Sequence, residues 1–307
     1  MSARVDLAIA IPQAFPDHPI DPHAIRQFLA RAEALDFHSA WVVEHIFGEM
    51  PTLDPIELLT WASAVTTRMR LGSAVLLTAL HNPVHLAKTL ATLDHLSQGR
   101  LVVGVGLGGN PGVYPAFGLS PERRAARFSE GIRLMKRLWT EPRVSVTGDF
   151  WTLRDVTMEP KPVQKPHPPI WFGAHHPHAL RRTVELGQGF MGAGSLSTAK
   201  FADEVKLLHG FLREAGCDPA TFPIGKRVYL AIDKDRQRAA KRLTEWFGGF
   251  YGRPQMAEEV SVFGSKDECV AGLRDVVAAG ARLLLLNPVF DEMEHLEQLA
   301  TEIGPAL

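Results

Sequence analysis

The sequence predicts an α/β fold, a single (β/α)8 TIM barrel that spans residues 1–307. Eight short apolar segments alternate with helical patterns, which is typical of a closed parallel barrel. One segment, Leu101–Val105, is a continuous apolar run, as expected of a parallel strand covered on both faces. No linker or low-complexity segment divides the 307 residues, which are 46% hydrophobic and suffice for one large core.

Turn residues and apolar periodicity give the elements in order. A short apolar run bounded by turn residues predicts a strand, and the eight predicted barrel strands are Val5–Ile11, Ser39–Val43, Leu71–Leu77, Leu101–Val105, Ile170–Gly173, Phe190–Gly192, Ile224–Ile232 and Arg282–Leu286. Apolar residues at helical spacing predict a helix, and Asp21, Asp54 and Ser265 are suitable N-caps. The predicted helices are Pro22–Leu35, one that begins after Asp54, Pro83–Leu96, Pro121–Trp139, Pro177–Leu186, Ala199–Ala215, Arg236–Phe247, Lys266–Ala279 and Asp291–Glu302.

Residues 140–168 interrupt this alternation and predict an excursion from the barrel. Val144–Val146 and Phe150–Leu153 flank the turn residues Gly148 and Asp149, a pattern typical of a hairpin. The run Pro160–Pro169 is rich in proline and is expected to be extended.

Composition and charge exclude several classes of function. The net charge of −1 gives no indication of a nucleic-acid partner or an anionic membrane surface. The two cysteines, Cys217 and Cys269, exclude a disulfide scaffold and fit a reducing compartment. The first 13 residues lack the pattern of a signal peptide, and no apolar run reaches the length of a membrane span. We therefore expect a cytoplasmic protein.

The active site of such a barrel is expected at the carboxyl ends of its strands. The segments that follow predicted strands are Pro12–Gln13, Glu44–His45, Ser73–Thr78, Gly106–Asn110, Gly173–His176, Gly192–Ser195 and Asn287–Pro288. Glu44 and His45 are the sharpest pair, because a histidine exchanges protons near neutral pH and a carboxylate can orient it. Neighbours at a strand end need not face each other, and a polar strand end that meets solvent is the alternative.

A glycine loop follows Leu101–Val105 and has three interpretations. Gly104, Gly106 and Gly109 match the dinucleotide fingerprint G-x-G-x-x-G, but Asn110 and Pro111 follow where that fingerprint requires a helix. Close backbone packing in a tight loop is favoured over a dinucleotide site. The third interpretation is that the glycines let the backbone approach a flat cofactor ring.

The histidine-rich segment after the fifth predicted strand favours an anion site over a metal site. His175, His176 and His178, considered with His167, have no acidic or cysteine partner at a supporting spacing, so no metal is expected. Gly173 to His176 lead into the N-terminus of the Pro177 helix, where free backbone N–H groups and the helix dipole suit a phosphate.

Taken together, these segments resemble the luciferase-like monooxygenase superfamily of flavin- and deazaflavin-dependent barrels. The resemblance covers essentially the whole chain, and its anchors are FHSAWVVEHI (Phe37–Ile46), TRMRLGSAVLLTALHNPVHLAK (Thr67–Lys88), LDHLSQGRLVVGVGLGG (Leu93–Gly109), GIRLMKRLWTEPRVSVTGDFWTL (Gly131–Leu153) and PKPVQKPHPPIWFGA (Pro160–Ala174). The branch that uses coenzyme F-420, a 5-deazaflavin hydride carrier, is the most similar, and members that use FMN share most of these anchors.

The resemblance implies a role for particular residues. The family's proton-transferring histidine falls on His45, preceded by Glu44, and these two are the catalytic candidates. The cofactor would contact a non-proline cis peptide at Ala74–Val75 with Ser73 beside it, the ring edge at Leu107, Gly108 and Gly109, and a phosphate turn at Gly173, Ala174, His175 and His176.

Two departures from the family pattern bear on the choice of cofactor and reaction. Sugar-phosphate-oxidising members place a glutamate where this chain has Gly109-Asn110, which weakens any claim to their reaction. Luciferase-type members place an arginine near Leu107 to hold the FMN phosphate, and its absence favours F-420 over FMN.

The resemblance thus predicts an oxidoreductase that transfers hydride between reduced F-420 and an unsaturated or carbonyl small molecule. A two-component monooxygenase that uses reduced FMN and oxygen is the first alternative, and a flavin- or deazaflavin-binding protein without turnover is the second. The protein partners considered are a flavin or F-420 reductase that supplies the reductant and a second copy of the chain in a homodimer.

Overall fold

The structure is a computed structural model that describes residues 5–16 and 19–307. Residues 1–4, which include part of the segment tested for a signal peptide, lie outside the described residues. The strands are β1 (Asp6–Ala10), β2 (Ser39–Val42), β3 (Arg70–Ser73), β4 (Leu101–Val105), β5 (Val144–Thr147), β6 (Thr152–Val156), β7 (Ile170–Phe172), β8 (Gly189–Gly192), β9 (Ile224–Ile232), β10 (Val262–Gly264) and β11 (Leu283–Pro288). The helices are α1 (Pro22–Ala34), α2 (Pro55–Val65), α3 (Pro83–Leu96), α4 (Arg124–Thr140), α5 (Pro177–Leu186), α6 (Thr198–Glu214), α7 (Arg236–Tyr251), α8 (Met256–Val260), α9 (Lys266–Ala278) and α10 (Glu292–Gln298).

Eight parallel strands close into a barrel, which confirms the predicted fold class. The order around the ring is β1, β2, β3, β4, β7, β8, β9 and β11, and β11 pairs with β1. The extra strand β10 pairs with the end of β9 outside the ring, and β5 and β6 form the expected antiparallel hairpin. The helices between strands cover the outside, as in other barrels of this type.

The third strand and the fourth helix differ from the sequence prediction for local reasons. The third strand ends at Ser73, because the backbone bends at Ala74–Val75 and Leu76 then makes only an isolated bridge to Val105. Helix α4 starts at Arg124 rather than Pro121, since Arg123 has a positive φ of 54°.

Helix α7 continues past the predicted end at Phe247 through two glycines to Tyr251, because Trp246, Phe247 and Phe250 share a buried face. The short helix α8 and strand β10 carry too few residues for a periodic pattern, and the sequence analysis missed both.

Two tryptophans fill the middle of the barrel, below the end at which the carboxyl termini of the strands meet. The rings of Trp41 and Trp171 lie 5.6 Å apart within an interior cluster that includes Val102, Met191 and Leu285. A Cβ atom on Gly72 would lie 2.4 Å from Trp41 Cε3, and one on Gly189 would lie 2.5 Å from Trp171 Cε2. These glycines therefore provide the space that the indole rings occupy.

Within the described ranges, 5–16 and 19–307, no helix is both long enough and apolar enough to cross a membrane.

Candidate active site

A cleft opens at the carboxyl ends of the barrel strands, on the side formed by β1, β2, β9 and β11. Helix α7 forms part of its wall. Lining residues include Ile11, Gln13, Trp41, Val43, Thr52, Arg227, Trp246, Phe250, Leu285, Asn287, Val289 and Glu292. This position agrees with the general rule for barrel active sites.

The structure pairs Glu44 with His81 rather than with its sequence neighbour His45. Glu44 is 7% exposed, its carboxylate accepts a hydrogen bond from Leu77 N–H, and it lies 2.8 Å from His81 Nε2. Burial alone would lower the pKa of His81, but the hydrogen bond and charge of Glu44 raise it above the ordinary histidine value. Glu44 therefore ties the end of β2 to the segment after β3, and sequence analysis missed His81 because it lies far away along the chain.

His45 follows β2 and stacks on the aromatic wall of the cleft. Its ring lies 4.3 Å from that of Phe250, at an interplanar angle of 28°. Trp41 and Val43 line the cleft, and the Nε2 edge of His45 faces Gly48, where a Cβ atom would lie 2.6 Å from it. The buried Nε2 atom has no hydrogen-bond partner within the described residues, and burial lowers the pKa of this ring. Burial therefore favours the neutral form of this imidazole, and its Nε2 has no partner among the described residues.

The bend after β3 contains the expected non-proline cis peptide at Ala74–Val75. Ser73 lies behind this bend, where its hydroxyl group bonds to Gly104 O at 2.9 Å and accepts from Gly104 N–H at 3.0 Å. A Cβ atom on Gly104 would lie 1.6 Å from Ser73 O, so glycine is required there by backbone packing. Ser73 is buried and positions the bend, whereas Ala74 and Val75 are half-buried beside the mouth.

Some of the other loop glycines pack closely against neighbouring atoms, and one faces open space. Cβ atoms on Gly106 and Gly173 would lie 2.6 Å and 3.0 Å from the two Val75 methyl groups. Gly108 has a φ of +76°, whereas a Cβ atom on Gly109 would meet nothing within 4 Å. A 3₁₀ helix at Pro111–Phe117 follows, so the helix of a dinucleotide fingerprint is absent here and close packing explains the first glycines.

The turn from Gly173 to His176 leads into α5 as expected. Gly173 N–H bonds to Val105 O, whereas the N–H groups of Ala174, His175 and His176 make no hydrogen bond within the described part of the chain. The His176 side chain caps α5 by accepting from His178 N–H at 3.3 Å. Three free N–H groups at a helix N-terminus suit an anion.

The histidines before and after β7 make separate local contacts. His175 Nδ1 lies 3.1 Å from Glu204 Oε1, and His167 packs against Trp139 with its Nδ1 on Pro168 O. Among the residues that the structure describes, no group of three or more His, Cys, Asp or Glu side chains could hold a metal ion.

Two buried cations on β9 were missed by the sequence analysis. Lys226 Nζ donates to Ala193 O and Leu196 O and holds the segment after β8, and burial lowers the pKa of this amine to about 7. The Arg227 guanidinium lies in the cleft beside Asn287, which did appear among the strand-end candidates. The sequence did contain a signal for them. Lys226 and Arg227 are adjacent within a predicted barrel strand, and charged residues are rarely buried unless they have partners.

The barrel and its mouth define a (β/α)8 protein whose candidate site lies at the strand ends. A family model described as luciferase-like monooxygenase matches residues 6–266. The chain belongs to this family, and the expected oxidoreductase or monooxygenase class is confirmed with it.

Curated relatives and solved structures agree with this assignment. An uncharacterized protein of Mycobacterium tuberculosis is 46% identical over 207 residues, or 66% of this chain and 72% of that protein. An F-420-dependent glucose-6-phosphate dehydrogenase of Kineococcus radiotolerans is 28% identical over 93% of both chains. The structure of a monooxygenase from Streptomyces bottropensis superposes with a TM-score of 0.85 at 27% identity, covering 98% of this chain and 99% of that one.

Proposed function

We propose that the protein is an oxidoreductase that uses coenzyme F-420 to transfer hydride to an unsaturated or carbonyl small molecule. The observation that carries the proposal is the turn before α5, where the N–H groups of Ala174, His175 and His176 make no hydrogen bond within the described part of the chain and can hold the anionic tail of a cofactor. The similarity to F-420-dependent relatives over 93% of the chain supports it. The reduced cofactor would come from a separate reductase.

The residues at the mouth fit a flat ring with an anionic tail. Gly106 and Gly173 hold Val75 at the bend, and the open space around Gly109 admits an aromatic edge. The N–H groups of Ala174, His175 and His176 can bind a phosphate. When bound there, the deazaflavin would supply the hydride, and the protein would supply orientation and electrostatics.

His45 and Glu44 would have different tasks in this site. His45 would hold or move a proton at Nε2, which is buried and has no protein partner within the described residues. Glu44 would fix the bend through Leu77 N–H and His81. Glu44 therefore acts as a positioning residue, and His45 is the candidate for proton exchange.

A monooxygenase that uses reduced FMN and oxygen is the second candidate. The 27% identity to a monooxygenase of known structure favours it. The segment Leu107–Asn110 reads LGGN, which supplies neither an arginine for the FMN phosphate nor the glutamate of sugar-phosphate oxidation. For this reason we prefer F-420 and do not extend the glucose-6-phosphate reaction to this chain.

Cofactor titration tests the proposal. Protein is titrated with F-420 and, separately, with FMN, and binding is followed by fluorescence quenching. We expect F-420 to bind more tightly than FMN. Gly173→Val should weaken binding at least tenfold, about 1.4 kcal/mol, since its Cβ atom would already crowd Val75 at 3.0 Å.

The variant Gly210→Ala, in α6, is the control, because a Cβ atom there meets nothing within 4 Å. Micromolar FMN binding without F-420 binding would replace the proposal by the monooxygenase. Cofactor binding without any substrate-dependent redox change would favour a binding protein without turnover.

A further inference from the structure

Arg227 is a buried cation that lines the cleft. It lies on β9, its register partner on β11 is Leu285, and the residue is 9% exposed. Both side chains line the cleft, together with Ile11, Val289 and the aromatic residues of α7. The guanidinium group therefore faces a largely apolar cavity, where a charged group is costly unless something compensates it.

The protein gives this guanidinium a neutral partner. Its Nε donates to Asn287 Oδ1 at 2.8 Å and its Nη2 donates to the same oxygen, while Asn287 Nδ2 donates to Pro288 O at 3.1 Å. Tyr229 lies beneath it, with the ring centre 4.9 Å from the Arg227 Cζ atom. Asn287 is thus fixed with its oxygen towards Arg227.

A carboxylate partner is missing from these contacts. In the described ranges no Asp or Glu oxygen lies within 4 Å of Arg227, and Nη1 makes no hydrogen bond. Glu292 also lines the cleft. Arg31, Arg238 and Arg242, by contrast, each pair with a carboxylate although they are more exposed.

We propose that Arg227 binds a carboxylate group of the substrate, and that the apolar body of the substrate packs against Trp246, Phe250 and Val289. The planar guanidinium suits a carboxylate because it can offer two parallel N–H groups. This inference rests on the proposed function for its reaction, since it names the substrate class of the same mouth.

The order of the strands around the barrel places the two ends of the substrate on opposite sides of the mouth. Strand β9 is four strands from β3 in both directions around the barrel. The charged end held at Arg227 therefore lies across the mouth from the bend at Ala74–Val75. A bound acid is oriented with its far end towards the predicted cofactor site.

Calorimetric titration of the cofactor-free full chain tests this binding. The probes are phenylacetate, cinnamate and hexanoate, each compared with its neutral amide, and phenyl phosphate is a separate arm. We expect each carboxylate to bind at least tenfold more tightly than its amide, about 1.4 kcal/mol. Equal binding of acids and amides, or measurable binding of phenyl phosphate alone, would overturn the proposal, and so would the absence of binding by all three acids.

Two variants locate the effect. Asn287→Asp places a carboxylate on the atom that Arg227 already contacts, so the preference for acids should disappear while the fold is retained. Arg227→Met should also remove the preference, and Arg154→Gln, which changes an exposed arginine, should keep it. If Arg227→Met does not fold, Asn287→Asp decides alone, and a preference that survives in Asn287→Asp contradicts the inference.

Titration of the wild type with F-420 separates this inference from the proposed function. Acid binding without F-420 binding would refute only the function. F-420 binding without a preference for acids would refute only the role of Arg227.

Discussion

Replacing Glu44 with glutamine should destabilise the bend after β3 in a pH-dependent way. The Glu44 side chain is 3% exposed and the His81 side chain 28%, so solvent screens their contact only in part. A hydrogen bond to a charged group contributes about 1.5–3 kcal/mol. Glutamine keeps an oxygen for Leu77 N–H but loses the charge that holds the His81 proton, so we expect a loss of about 1.5–3 kcal/mol near pH 6.

The pKa of His81 fixes the sign of the pH dependence. This pKa is raised in the folded protein, because the bond to Glu44 outweighs the effect of burial. The protonated ring therefore stabilises the fold fully below the unfolded-state pKa of about 6.5, and this stabilisation is lost as the pH rises through the raised folded-state pKa. Wild type should lose more free energy of unfolding than Glu44→Gln across that window.

Urea denaturation of Glu44→Gln, His81→Gln and the double variant measures the effect as a double-mutant cycle at about pH 6 and about pH 8.5. His85→Gln is the control, because His85 is an exposed histidine on α3, the helix that follows His81. A coupling energy that is zero at the lower pH, or equal at both, would refute the reasoning.

Two further predictions concern the bend and the candidate base. Gly104→Ala should unfold at a lower temperature by more than any exposed-site change, since its Cβ atom would lie 1.6 Å from Ser73 O, whereas Gly109→Ala should be nearly neutral because nothing lies within 4 Å; equal melting temperatures would contradict this. His45→Ala should lower turnover about 10²- to 10⁴-fold while F-420 affinity in a fluorescence titration stays within a few-fold, and unchanged turnover would remove His45 from the mechanism.

The barrel could be predicted from the sequence because the residues that begin and end its helices and strands act locally. Gly99 and Pro83 bound α3 in the sequence, and the apolar run of β4 needs no partner to be recognised. The sequence analysis failed where a contact joins segments that are far apart along the chain. Their adjacency in the sequence suggested that Glu44 pairs with His45. In the structure Glu44 contacts His81, which follows β3, whereas His45 stacks on Phe250.

The contacts of β9 in the cleft could not be predicted for the same reason. Its sequence, IGKRVYLAI, gives no indication that Arg227 meets Asn287, because that contact depends on the register between β9 and β11. Phe250 was missed because Gly248 and Gly249 suggested an earlier helix end, although burial of the aromatic face keeps α7 helical beyond them. Tertiary packing decides such positions.

The paired indole rings in the barrel interior constrain how this protein can evolve. Trp41 lines the cleft, and Gly72 leaves no room for a methyl group beside it, since that group would lie 2.4 Å from the ring. Alanine at position 72 is therefore expected to be tolerated only after position 41 has become smaller, whereas a smaller residue at 41 alone leaves a cavity. The two sites should show reciprocal epistasis, so lineages that take up deeper substrates should change both positions, or leave both intact and vary the walls instead.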